Sequence, residues 1–81
     1  MPKQSGSNIV HQYFKKEDES GKTLIKVNPI HRTGVEIIVP VKGEAETSEI
    51  ELTGEFQTEL TEEGFQACSP LEFNLYWSGL V

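Results

Sequence analysis

Residues 49–60 read E-I-E-L-T-G-E-F-Q-T-E-L, with Ile50, Leu52, Gly54, Phe56, Thr58 and Leu60 on even positions and polar residues on every odd one. Side chains leave a strand alternately on opposite faces, so a period of two sustained over this stretch predicts a half-buried β-strand. The same period continues beyond Thr61-Glu62-Glu63-Gly64, where Phe65, Ala67, Ser69, Leu71, Phe73, Leu75 and Trp77 share one parity. A turn closed at Gly64 sets Leu60 against Phe65, Leu52 against Phe73 and Ile50 against Leu75, with both apolar sets on one face. The pattern therefore predicts a long bent hairpin, 49–60 with 65–77, in which Ser69-Pro70 marks a bulge. Its core is Phe56, Phe65, Phe73 and Trp77.

The first half of the chain predicts shorter strands. Residues 9–15 (I-V-H-Q-Y-F-K) are rich in β-formers, and K-E-D-E-S-G then reads as a charged turn. Residues 22–27 alternate, Asn28-Pro29 favours a turn, and 35–41 (V-E-I-I-V-P-V) place Val35, Ile37, Val39 and Val41 on one face. Pro40 has no amide hydrogen to give a ladder, which places it at an edge or a bulge. Glycine or proline interrupts every window long enough for a helix, so no helix is expected. The fold class read from this pattern is all-β: a small antiparallel β-sandwich or partly open barrel of five to six strands. Residues 1–7 read as a flexible tail and 8–81 as a single domain. At 81 residues the core is thin, and self-association or a complex would add stability.

Charge sharpens this picture. Residues 1–35 carry six bases and three acids, whereas 36–81 carry one base and ten acids, within a net charge of −6. The predicted hairpin gathers Glu49, Glu51, Glu55, Glu59 and Glu72 on its outer face. Such a face is either solvated, edge-protecting surface or a platform for a basic partner. The single cysteine, Cys68, rules out an intramolecular disulfide and suits a reducing compartment. The start of the sequence lacks the apolar run of a signal peptide, and no apolar stretch is long enough to span a bilayer. A cytoplasmic protein with no membrane partner is expected.

Candidate chemistry is sparse. Ser20-Gly21-Lys22-Thr23 resembles the end of a phosphate loop, but Lys16 stands where the first glycine belongs and Thr23–Val27 alternates as a strand rather than opening a helix. His11, His31 and Cys68 lie at no recognised metal-ligand spacing. A cysteine–histidine relay needs a proximity that nothing in the sequence supplies. Glu62-Glu63 in a turn lacks the contrasting environments of an acid–base pair. Tyr13-Phe14-Lys15-Lys16 sets rings beside bases, but alternation separates the rings and net charge opposes direct nucleic-acid binding. The loop holding Asn28, His31 and Arg32 is a candidate anion site.

The sequence thus predicts a protein without catalytic machinery, cofactor or metal: an interaction module, accessory or regulatory subunit of a larger complex. Its partner is a protein with a basic surface or a second copy of itself. An acidic nucleic-acid mimic inhibiting a nuclease or DNA-binding protein is the first alternative. It requires two rows of carboxylates, and the second hairpin strand supplies only Glu72. A β-barrel binding a small ligand or anion is the other.

Overall fold

The computed structural model describes residues 10–80, so the expected tail at 1–7 lies outside the described residues. The chain runs β1 (Gln12–Asp18), β2 (Gly21–Asn28), β3 (Thr33–Pro40), β4 (Glu46–Glu51), α1 (Phe56–Glu62), β5 (Gln66–Ala67) and α2 (Pro70–Leu80). Its strands form one antiparallel sheet in the order β4-β3-β2-β1-β5. The small all-β antiparallel reading holds. The sheet is open rather than closed into a barrel, and each face is covered by a short helix rather than by a second sheet.

The first three strands form because their hairpins are local. Asp18 closes the β1–β2 turn by accepting hydrogen bonds from the Ser20 amide (2.8 Å) and hydroxyl (2.6 Å). Gly21, which begins β2, has φ +142°, and a Cβ there would fall 2.2 Å from the Val39 carbonyl oxygen. Only glycine combines that backbone conformation with so close a neighbouring strand. The β2–β3 turn is held by the Asn28 side chain, whose Oδ1 accepts from the amides of Ile30 and His31. Pro40 is the last residue of β3.

Adjacent residues of β2 feed two cores, one on each side of the sheet. Ile25 and Val27 pack with Phe56 and Leu60 of α1 and with Phe65. Leu24 packs with Ile37 of β3 and Phe73 of α2, flanked by Tyr13, Tyr76 and Trp77. Every residue in the buried centre of both clusters is apolar.

The long C-terminal hairpin does not form. β4 stops at Glu51, and both 56–62 and 70–80 are helical. The reason is a coincidence of periods. Phe56 and Leu60 are four apart, as are Phe73 and Trp77, and a spacing of four satisfies a period of two and a period near 3.6 alike. End signals decide between them. The expected hairpin turn at Gly64 is a helix C-terminus: Gly64 (φ +99°) donates to the Thr61 carbonyl at 3.1 Å, and Phe65 to that of Leu60 at 2.9 Å. These two bonds, with Leu60 and Phe65 in one apolar cluster, are the Schellman arrangement. The expected bulge at Ser69-Pro70 is a helix start. Ser69 Oγ accepts from the Glu72 amide at 3.1 Å, with proline in the first helical position. Among the described residues no helix is long and apolar enough to cross a membrane.

Candidate functional site

Loss of the hairpin redistributes the five predicted acids, so they do not share one face. Glu49 and Glu51 stay on β4, Glu55 precedes α1, Glu59 lies on α1, and Glu72 lies on α2. Glu72 leaves the acidic surface altogether. Lys15 Nζ donates to its two oxygens at 3.1 and 3.2 Å, and Lys22 Nζ donates to it at 3.1 Å. Lys22 also donates to the Tyr76 hydroxyl at 3.2 Å and sits 5.0 Å from that ring's centre. This cluster fastens α2 to β1 and β2.

The hydrogen bonds from Lys15 and Lys22 hold the Glu72 carboxyl below the usual carboxylate range. Hydrogen bonds to the Tyr76 hydroxyl and to Glu72 hold Lys22 above the usual lysine range. Asp18 is lowered by its two Ser20 bonds. A lowered carboxyl stabilises the fold fully above its unfolded pKa, about 4, and that contribution disappears as pH falls through the folded value. Lys22 has the opposite sign: its contribution is complete below about pH 10 and disappears as pH rises past its folded value. Thermal unfolding is therefore expected to show a plateau between these limits and a fall below about pH 4. The Glu72→Gln variant should have a shallower acid limb, and an acid limb identical to the parent's would contradict the cluster.

The acids that remain unpaired converge elsewhere. Between α1 and the β3–β4 end of the sheet lies a groove of about 230 Å³. Its floor is buried Ile25, Leu60 and Phe65 with half-buried Ile50 and Leu52. Its rim is Glu36, Glu59 and Glu63; Glu51 enters the lining between Ile50 and Leu52, and strand alternation turns its side chain to the other face of the sheet. Among the described residues, none of these three rim carboxylates makes an ion pair. Glu59 accepts a 2.9 Å hydrogen bond from the Thr53 hydroxyl. One rim residue, Glu59, belongs to the predicted set. Glu36 and Glu63 do not, although the T-E-E-G-F helix-ending signal was available to put Glu63 one helical turn beyond Glu59.

This charge is placed against the helix's own preference. Glu62 and Glu63 stand at the carboxyl end of α1, and the last turn has no base. The partial negative charge of a helix C-terminus disfavours anions there, and Glu59 repels Glu63 at i, i+4. A cation on the groove relieves both.

The opposite face of the same sheet corner carries a second groove, about 480 Å³, with His11, Lys26, Thr33, Glu49 and Glu51 in its lining. The candidate anion loop joins β2 to β3. Asn28 holds its turn, His31 is exposed, and Arg32 (φ +56°) lies with its guanidinium carbon 3.6 Å from where a Cβ on Gly54 would be.

His11 and Cys68 both line a groove of about 540 Å³ where β5 joins β1. Burial pushes the Cys68 thiol up, and Glu72 adds to that shift. A raised thiol has less of the thiolate that nucleophilic chemistry uses. Among the described residues, no group of three or more histidine, cysteine, aspartate or glutamate side chains is placed to hold a metal ion. Comparison with protein families, curated proteins and solved structures found no match.

Proposed function

We propose that the protein is a non-catalytic interaction module, an accessory or regulatory subunit that docks a basic segment of another protein at the groove between α1 and β4. The observation that carries this reading is the three-glutamate rim, Glu36, Glu59 and Glu63, over an apolar floor. Lysine and arginine fit such a surface in both their parts, since their aliphatic stems lie along apolar groups while their charged heads reach carboxylates. The groove has room for one or two such side chains. Charge placed at a cost to α1 favours a surface kept for a partner over one kept merely for solubility.

The test is a titration of the isotopically labelled protein with a short peptide alternating lysine and valine, followed by amide chemical shifts. Changes are expected at Glu36, Ile50, Glu51, Glu59 and Glu63, with Leu71 and Leu75 on the outer side of α2 unaffected. Absent changes, or changes spread evenly over the molecule, would overturn the reading.

A further inference from the structure

Among the described residues, the outermost strand on the acidic side, β4, has no neighbour beyond it in the sheet. The orientation of its backbone follows from the ladder. The Leu52 amide donates to the Arg32 carbonyl at 2.8 Å, and the β3–β4 register continues from that pair through Ile50 opposite Gly34 and Ser48 opposite Glu36. Antiparallel ladders alternate bonded and non-bonded pairs. Ile50, Ser48 and Glu46 therefore turn their amides and carbonyls toward β3. Thr47, Glu49 and Glu51 turn theirs outward, away from the sheet.

The residues with outward backbone groups include two glutamates, and this decides what can pair there. A second copy of this chain added edge to edge brings glutamate against glutamate, and directly opposed like charges destabilise a strand pair. A basic strand reverses the sign at the same positions. The edge thus rejects itself and selects a cation-bearing segment, which is specificity by repulsion of the wrong partner. Lys26 lines the same groove as Glu49 and Glu51, but among the described residues it makes no ion pair with either, so both carboxylates stay open to an added strand.

We infer that β4 accepts an extended, basic segment of a partner protein as an added strand. The inference rests on the proposed docking function and specifies its mode. Main-chain bonds to Thr47, Glu49 and Glu51 supply affinity, and alternate side chains supply selectivity. One parity of the added strand lies beside Glu49 and Glu51. The other lies beside Glu46, Ser48 and Ile50 and leads toward the groove rimmed by Glu36, Glu59 and Glu63, so one segment engages both faces of the sheet corner.

Amide hydrogen exchange separates the mode from the docking itself. With the alternating lysine–valine peptide bound, exchange at Thr47, Glu49 and Glu51 is expected to slow by about tenfold or more, as for amides newly bonded in a ladder. The same peptide with every backbone nitrogen methylated keeps its charges and loses its strand-forming amides, and it should bind about tenfold more weakly. Unchanged exchange at these three amides while the parent peptide is bound overturns strand addition and leaves side-chain docking standing. Failure of the parent peptide to bind at all overturns both.

Discussion

Replacing Phe73 with alanine is expected to destabilise the protein by about 3–5 kcal/mol, whereas Leu75→Ala should cost less than about 1 kcal/mol. Phe73 is 2 % exposed and joins Leu24 and Ile37 in the core under α2. Its ring centre lies 5.6 Å from that of Tyr13 and 6.1 Å from that of Trp77. Truncation leaves a cavity against Leu24 and Ile37, with only half-buried Tyr76 and Trp77 of the helix left packed on that core. Leu75 is 67 % exposed on the outer side of the same helix. The whole stability of a domain this size is about 4–12 kcal/mol, so the Phe73 variant should be largely unfolded or close to it. Urea unfolding of both variants checks the pair. Equal losses would contradict the helix, because the two side chains point the same way only in an extended strand.

That comparison also marks where the sequence was readable. β1 to β3 were legible because each meets its sequence neighbour across a short turn, and their alternation has no helical counterpart. The lengths of α1 and α2 were hidden by apolar residues spaced in fours. Their ends were not hidden: Gly64 after Glu62-Glu63, and Ser69-Pro70 followed by Glu72, are termination and initiation signals that outweigh alternation. Reading them would have turned the hairpin into two helices.

The candidate site was legible to the same extent. Glu51 and Glu59 were identifiable as outward carboxylates, Glu59 on the proposed docking groove and Glu51 on the edge strand beside it. Glu36 joins them only because β3 is the strand beside β4, and Glu63 only because α1 turns it back over Ile25 and Leu60. Glu72 was misplaced for a long-range reason. Its partners Lys15 and Lys22 lie 57 and 50 positions away, and no local pattern announces such a contact.

The second large effect concerns binding. Reversing Glu59 and Glu63 together to lysine removes two attractions for a basic segment and adds two repulsions. At about 1 kcal/mol for each change in sign of an exposed pair, and somewhat more over an apolar floor, the loss is about 3 kcal/mol, or roughly 100-fold in affinity. The fold should not suffer. Lysine near the carboxyl end of α1 suits the helix dipole, and the hydrogen bond from Thr53 to Glu59 is exposed. A matched variant, Glu19→Lys with Glu44→Lys, changes net charge equally, from −6 to −2, at exposed positions outside the groove's lining. Salt screens charges more than about 8 Å apart at physiological ionic strength, so this variant should bind within about threefold of the parent.

The measurement that bears most directly on the proposed docking groove is calorimetric titration of the lysine–valine peptide into the parent and these two variants at physiological salt. Binding by the parent, a loss of about 100-fold in the Glu59/Glu63 variant and near-parental affinity in the Glu19/Glu44 variant is the predicted result. Equal weakening of both variants would reduce the groove to net charge alone, and absence of binding by the parent would contradict it outright.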